Sequence, residues 1–156
     1  MKPVPTLYEW IGGQTALDRL SEAFYKKVLA DDLIGPQFAK MPADHPHHVA
    51  LFLAEVLGGP EAYTALGGHA RMLSHHFAKH LTEAQRRRWL SLLLDTADET
   101  GLPSDPEFRS AFVAYLEWGT RLAVINSQNP ADSAADPATP MPKWGWGVPG
   151  GPYQPD

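Results

Sequence analysis

The chain has 156 residues and no cysteine. The absence of cysteine excludes disulfide bonds, zinc knuckles, thiolate ligation of a metal and cysteine nucleophiles. It also gives no sign of an oxidising compartment. Any chemistry that the protein performs must therefore come from histidine, carboxylate, tyrosine and tryptophan side chains.

Positive charge and long apolar runs are also scarce. The formal net charge is −5, and the one dense basic run is Arg86-Arg87-Arg88. Consecutive residues on one helical turn point to different faces, so this run predicts a solvated helix start rather than a nucleic-acid surface. The N-terminus lacks the apolar core of a signal peptide, and no apolar stretch is long enough to span a membrane. We therefore expect a cytoplasmic protein without nucleic-acid or membrane partners.

No stretch shows the period-two alternation of apolar and polar residues that is typical of strands, and short Gly/Pro turns separate its helical patterns. An apolar fraction of 44% is sufficient for one buried core. We therefore predict an all-α protein with one domain, residues 1–128. Residues 129–156 are rich in Pro, Gly and Ala and predict a flexible tail; docking of its aromatic end on the domain or on a partner is the alternative.

Capping residues and helical periodicity predict where the helices begin. N-caps are expected at Thr6, Asp44, Thr82 and Ser104, and all but Asp44 have the form of a capping box. A further helix is expected from Thr15 to about Ala30. Residues 61–68 have Pro and Gly at their borders, so we predict a loop with one helical turn at most.

The centre of the sequence is residues 68–80, a helical pattern that contains four histidines. Its apolar face consists of Leu73, His76, Phe77 and His80, and its charged neighbouring face consists of Arg71, His75 and Lys79. His76 is therefore expected to point inward. An imidazole among apolar side chains is either a hydrogen-bonded core residue or the ligand of a metal or haem iron, and these residues alone leave both readings open.

The sequence contains no His-Glu-x-x-His motif, no Gly-rich phosphate loop and no nucleophile elbow. It does contain Phe24-Tyr25, the glycine pairs Gly12-Gly13, Gly58-Gly59 and Gly67-Gly68, a Gly68-His69-Ala70-Arg71 segment followed by His76, and Trp89. In this order and spacing, these residues resemble the group II truncated haemoglobins over residues 6–126. The resemblance implies a truncated globin, a sandwich of two helices over two helices around haem b.

The resemblance also implies roles for individual residues. His76 corresponds to the iron ligand, and Tyr25 and Trp89 correspond to the polar residues on the distal side of the haem. The further haem contacts are expected to be Phe38, Val49, Phe52, Leu53, Arg71, Met72 and Phe77. Among these, Arg71 is expected to pair with the haem propionates, with Lys79 as a second candidate.

Two histidines leave alternatives open. His45 matches a distal-helix position of the family, but in the other reading it faces solvent beside His47 and His48. His75 is the rival of His76 as the iron ligand. Adjacent helical residues point roughly 100° apart, so one helix placement cannot aim both rings at the iron. The apolar face and the resemblance both favour His76.

The function implied by the resemblance is reversible binding of oxygen and other diatomic ligands. The Tyr25 hydroxyl and the Trp89 indole N–H can donate hydrogen bonds to bound oxygen and slow its escape. One hypothesis adds redox chemistry, as a nitric oxide dioxygenase or a peroxidase-like enzyme. Because the sequence contains no reductase domain, that chemistry requires an outside electron donor.

Two other functions stay open at this point. In a non-haem metal protein, His76 and His80 would bind zinc or iron at i, i+4 spacing, with His45 or His48 from another helix. In a helical interaction module, the Trp-rich tail would bind a partner and the histidines would have no common role.

Overall fold

The computed structural model describes residues 3–147. These residues form eight helices and no strand: α1 (Leu7–Ile11), α2 (Gly13–Ala30), α3 (Gly35–Phe38), α4 (His45–Val56), α5 (Ala62–Ala65), α6 (Gly68–His76), α7 (Glu83–Glu99) and α8 (Pro106–Asn126). The predicted all-α fold is therefore confirmed, and α5 is the single helical turn expected within residues 61–68. Within residues 3–147, none of the helices combines the length and the hydrophobicity that a membrane span requires.

The predicted capping box at Thr6 is present and fixes the start of α1. The Glu9 N–H donates to the Thr6 hydroxyl at 3.0 Å, and the Thr6 N–H donates to the Glu9 carboxylate at 3.3 Å. The helix ends at Gly12, whose φ of 107° lies in the left-handed region. Because glycine adopts this conformation without a steric penalty, the chain turns at once. α2 therefore begins at Gly13, two residues before the predicted start at Thr15.

The other predicted caps are correct in part. At Thr82, the capping box with Gln85 is present. The last helix is capped by Asp105 rather than by Ser104, because the Asp105 carboxylate accepts a hydrogen bond from the Phe108 N–H at 2.9 Å. Asp44 stands at the N-cap of α4 but makes no capping hydrogen bond with its side chain.

The four longest helices form two pairs that surround the core. α2 packs against α4 and also against α7, and α7 packs against α8. Leu17, Leu20, Phe24 and Val28 recur at helical spacing along α2, and all four are buried. The shorter α6 packs chiefly against α8 and α5. This arrangement leaves α6 at the edge of the space that the long helices enclose.

The sequence led us to expect that the basic run at the start of α7 is solvated, and for Arg86 this expectation is wrong. Arg86 is buried, and its guanidinium donates to the Glu83 carboxylate at 2.6 and 2.8 Å and lies 3.4 Å from the Glu117 carboxylate on α8. Arg88 pairs at 2.6 Å with Asp31, the residue that follows α2. A buried guanidinium requires paired acceptors, so these contacts fix α7 against α8 and α2.

The tail beyond α8 runs against the domain. The Ala78 N–H donates to the Asn129 carbonyl at 2.8 Å, and the Trp144 N–H donates to the Val56 carbonyl at 2.8 Å. Docking on the domain is thus the outcome observed for the aromatic end as far as residue 147, and residues 148–156 lie outside the described part of the chain. Flexibility of residues 129–156 stays a prediction, because a docked segment can still detach.

The turn after α4 provides a test of the packing. A Cβ atom at Gly59 would lie 2.7 Å from a ring carbon of Tyr8 and 2.8 Å from the Ala54 carbonyl oxygen. Because that carbonyl belongs to the backbone of α4, it cannot move aside easily. We expect Gly59→Ala to lower the free energy of unfolding by about 1–3 kcal/mol, as measured by chemical denaturation.

Gly145→Ala is the matched control for Gly59→Ala. A Cβ atom at Gly145 would meet no heavy atom within 4 Å. Equal denaturation midpoints for the two variants would contradict the described packing of the turn.

Candidate functional site

A cavity of about 970 Å³ lies between the helices, with its main walls from α2, α4, α6, α7 and α8 and smaller contributions from α3 and α5. This volume is in the range of sites that hold a cofactor or another small molecule. The predicted site residues all line it: Tyr25, Phe38, His45, Val49, Phe52, Leu53, Arg71, Met72, His76, Phe77 and Trp89. The structure therefore brings the whole predicted set together, while the role of each residue stays a prediction.

An aromatic cluster forms one wall of the cavity. The Tyr25 ring centroid lies 5.5 Å from that of Phe38 and 4.9 Å from that of His45. Phe24 packs edge to face on Trp89 at 5.0 Å and so fixes the indole of α7 against α2. Consecutive helical residues point in different directions, which allows Phe24 to fill the core while Tyr25 reaches the cavity.

Tyr25 and Trp89 make this wall a source of hydrogen-bond donors. Burial raises the pKa of the Tyr25 hydroxyl, and the hydrogen bond between the Tyr25 and Trp89 side chains has a smaller, opposite effect. Tyr25 therefore keeps its proton near neutral pH. The indole N–H of Trp89 can only donate.

His45 is turned toward the cavity, which is one of the two orientations considered from the sequence. Its Nε2 atom is buried and has no hydrogen-bond partner among the described residues. Burial lowers the pKa of His45, with smaller contributions from His75 and His48. By contrast, His47 pairs with Asp18 at 2.8 Å. α4 thus directs His45, its first residue, toward the cavity and His47 toward α2.

His76 is the last residue of α6 and contributes to another wall. Its Nδ1 atom is buried and has no hydrogen-bond partner in the described part of the chain. Burial lowers the pKa of His76 to about 4, and the nearby His75, His69, His45 and Lys79 act in the same direction. The ring is therefore neutral at pH 7, which is the form that binds a metal. His75 also borders the cavity, but it is exposed.

The expected continuation of this helix to His80 is wrong. Phe77 is the C-cap of α6, and Ala78 and His80 have positive φ angles of 61° and 49°. The N–H groups of these two residues donate to the carbonyls of Asn129 and Ser127 after α8, which holds the chain in this turn. Because His80 lies outside the helix and is exposed, it does not share the apolar face of His76.

The same turn removes the basis of the non-haem metal site. His76 and His80 do not form an i, i+4 pair on a helix. Within residues 3–147, no group of three or more His, Asp or Glu side chains is arranged to hold a metal ion. The non-haem alternative is therefore not favoured.

Several residues of the cavity were missed in the sequence. Tyr63, His69, Tyr115 and Trp118 all contribute to its walls. His69 is only 7% exposed, and its ring forms a hydrogen bond with the Pro140 carbonyl. Tyr115 does lie on the predicted apolar face of α8, but periodicity does not show which part of a broad apolar face meets a cavity.

The residues around the cavity fit haem. Three buried ring nitrogens in the described chain have no hydrogen-bond partner: His45 Nε2, His69 Nδ1 and His76 Nδ1. Buried polar atoms are normally paired, so these nitrogens indicate that the complete site contains a further group. A neutral histidine on one helix and donors on two others are the groups that a haem iron and a small ligand require.

Comparisons with known sequences find a matching family and similar proteins. The family model described as bacterial-like globin matches residues 6–118. The chain is 32% identical over 121 residues to the group 2 truncated hemoglobin YjbI of Bacillus subtilis (strain 168), which covers 78% of this chain and 89% of that protein.

Solved structures are similar over a comparable length. The group II truncated hemoglobin from Bacillus anthracis has a TM-score of 0.72 and 26% identity, with 85% of this chain and 98% of that chain covered. The truncated oxygen-avid haemoglobin from Bacillus subtilis has a TM-score of 0.69 and 30% identity, with 77% of this chain and 99% of that chain covered.

The lowered pKa of His45 predicts that the stability of the haem-free protein depends on pH. An ordinary histidine in the unfolded chain binds a proton near pH 6.5, whereas the folded chain resists protonation of His45 until a lower pH. The unfolded state therefore binds more protons as the pH falls below 6.5, so the haem-free protein loses stability in that window. His45→Gln should reduce the loss, as measured by denaturation at a series of pH values.

The ring of His45 can also be followed directly by NMR in the haem-free protein. We expect its resonances to titrate below the ordinary histidine pKa of 6.5. Titration at or above that value would contradict the burial of this ring.

Proposed function

The chain belongs to the bacterial-like globin family and is a group II truncated haemoglobin, and we propose that it holds oxygen tightly through Tyr25 and Trp89. It is a haem-binding globin, and oxygen and other diatomic molecules are its ligands. Haem b supplies the iron to which such ligands bind. The observation that carries the proposal is the meeting of the Tyr25 and Trp89 side chains at one wall of the cavity.

Tight retention of oxygen is supported by the chemistry of these two donors. Tyr25 keeps its proton because burial raises its pKa, and Trp89 has an N–H that can only donate. An oxygen ligand carries partial negative charge, and a hydrogen bond to such an acceptor is stronger in an apolar cavity than in water. Carbon monoxide is less polar and gains less, so the wall should favour oxygen.

His45 is proposed as a third polar residue beside the ligand. Its ring lies 4.9 Å from that of Tyr25, and its buried Nε2 has no hydrogen-bond partner among the described residues. A neutral imidazole donates from one ring nitrogen and accepts at the other. His45 can therefore donate a hydrogen bond of its own, to the ligand or to the Tyr25 hydroxyl oxygen, and either arrangement leaves the Tyr25 proton for the ligand.

His76 would be the residue that binds the haem iron. The ring is neutral, lies on the cavity and ends a helix that directs it there. Arg71 on the same helix donates from Nη1 to the Leu66 carbonyl at 3.0 Å and also lines the cavity. Since a guanidinium has five N–H donors, Arg71 can bind a haem propionate at the same time. Lys79 is a second candidate for this contact.

The remaining cavity residues are proposed to hold the haem by apolar contact. They come from α3, α4 and α6 and from the residue after α6: Phe38, Val49, Phe52, Leu53, Met72 and Phe77. Burial of apolar surface against a flat aromatic cofactor is the main source of such binding.

Turnover of nitric oxide or peroxide stays a prediction for the same site. A site that releases oxygen slowly suits redox chemistry better than oxygen delivery. That chemistry would require an outside electron donor, and we propose that the protein meets this donor in the cytoplasm.

Removal of either donor tests the proposal. Tyr25→Phe removes the hydroxyl that would donate to the ligand. Trp89→Phe removes the indole N–H, which donates to the Tyr25 oxygen in the structure and would donate to a bound ligand. Both variants keep an aromatic ring. A hydrogen bond to a charged acceptor is worth about 1.5–3 kcal/mol, so we expect oxygen to dissociate about 10- to 100-fold faster from each variant. Stopped-flow displacement of oxygen measures this rate, and carbon monoxide dissociation should change less.

Tyr115→Phe is the matched control for these variants. It removes the hydroxyl of another buried tyrosine that lines the cavity, and it keeps the ring. Its oxygen dissociation rate should equal that of the unsubstituted protein. If all three variants release oxygen at the unsubstituted rate, the role proposed for Tyr25 and Trp89 is wrong.

A further inference from the structure

Residues 140–147 of the tail, here called the strap, run across several helices instead of leaving the domain. The strap contacts α6 through the Pro140 carbonyl, α4 through Lys143 and the Trp144 N–H, and α8 through the Trp144 ring. Its end is fixed near α1, where the Trp146 indole N–H donates to the Pro5 carbonyl at 2.8 Å. Trp146 also packs edge to face on Trp10 at 5.6 Å.

The first anchor of the strap is a buried carboxylate. Glu55 on α4 is 1% exposed and accepts hydrogen bonds from the N–H of Thr64, at 2.8 Å, and from its hydroxyl. Lys143 of the strap brings its ammonium group to 3.6 Å from the same carboxylate. A buried carboxylate is stable only when its charge is paired and hydrogen-bonded. Lys143 therefore ties the strap to α4 and to α5, the turn that leads into α6.

The second anchor is Trp144, which stands behind the cavity wall. The backbone N–H of Trp144 donates to the Val56 carbonyl at 2.8 Å. This bond satisfies a carbonyl in the last turn of α4. Its ring centroid lies 5.4 Å from that of Tyr115 and 5.8 Å from that of Trp118. Tyr115 and Trp118 both line the cavity. Trp144 thus supports the α8 part of the wall from outside.

The third anchor reaches the helix that carries His76. The Pro140 carbonyl forms a hydrogen bond with the ring of His69, which lies on α6 and lines the cavity. α6 packs chiefly against α8 and α5, so a bond from the strap adds a further support to a short helix. The second anchor therefore supports the α8 part of the wall and the third anchor supports α6, while the first anchor reaches the start of α6 through α4 and α5.

We propose that the strap completes the haem site, with Trp144 and Lys143 as positioning residues that hold α6 and the α8 wall in place and slow the loss of haem. Neither side chain is among the residues that line the cavity, so each acts through the residues that it contacts. The proposal rests on the proposed role of His76 as the iron ligand.

The test measures haem loss from the full-length protein. Ferric protein is mixed with an excess of a haem-free acceptor globin, and the transfer rate is followed by absorption. We expect Trp144→Ala to lose haem about tenfold faster, and Lys143→Met to change the rate in the same direction. Trp144→Phe keeps an aromatic ring against Tyr115 and Trp118 and should restore most of the slow rate.

Ile125→Ala is the matched control, because Ile125 is an apolar residue of α8 that is 66% exposed. It should lose haem at the unsubstituted rate. Resonance Raman spectra of the reduced proteins add a readout that general stability does not move. The iron–histidine stretching band should shift or broaden in Trp144→Ala and stay unchanged in Ile125→Ala.

Equal haem-loss rates and iron–histidine bands in Trp144→Ala, Lys143→Met and the unsubstituted protein would overturn the proposal. If Trp144→Ala fails to fold, an unchanged haem-loss rate and an unchanged iron–histidine band in Lys143→Met alone would overturn the proposal. A separate outcome concerns the iron ligand. If the iron–histidine band persists in His76→Gly, as in all the other variants, His76 is not the ligand.

Discussion

Uncharged polar groups buried around an apolar cavity are the feature on which the rest of this structure depends. Burial disfavours the imidazolium form of His76 and His45 and the phenolate form of Tyr25. The same burial therefore leaves a neutral ring that can bind iron and a protonated hydroxyl that can donate to a ligand. The cationic side chains of Arg71 and Lys79 also line the cavity, and Lys79 is exposed to solvent.

Ion pairs hold α7 against α2 and α8 close to Trp89. Arg88 is the residue before Trp89, and its pairing with Asp31 joins the start of α7 to the end of α2. These are the two helices that carry Trp89 and Tyr25. Arg86 joins the same part of α7 to Glu117 on α8. The pairs of Arg86 and Arg88 thus help to hold α7, which carries Trp89, against α8 and α2.

The sequence predicted those parts of the structure that depend on local patterns. The capping boxes at Thr6 and Thr82 and the inward face of α2 follow from side chains within one or two helical turns, so they could be read directly. The family resemblance added the site, and all of its predicted residues line one cavity. The end of α6 could not be read in this way, because Ala78 and His80 are held by carbonyls of Asn129 and Ser127, roughly fifty residues further along the chain.

Long-range contacts also explain the other differences. Arg86 is buried because Glu117 of α8 meets it, and the sequence near Arg86 gives no sign of that pairing. The composition of residues 129–147 is typical of a flexible segment, yet Trp144, Trp146 and Lys143 find partners on α8, α1 and α4. Two tryptophans and one lysine are therefore enough to dock a segment that is otherwise rich in Pro, Gly and Ala.

We propose that His76, and not its neighbour His75, binds the iron from within this cavity. Absorption spectra of the reduced protein, alone and under carbon monoxide, test it most directly when His76→Gly and His75→Gly are compared. We expect His76→Gly to lose the five-coordinate haem spectrum and to regain it when imidazole is added, while His75→Gly keeps the spectrum of the unsubstituted protein. The opposite result, with loss and rescue in His75→Gly and an unchanged spectrum in His76→Gly, would show that His75 and not His76 is the iron ligand.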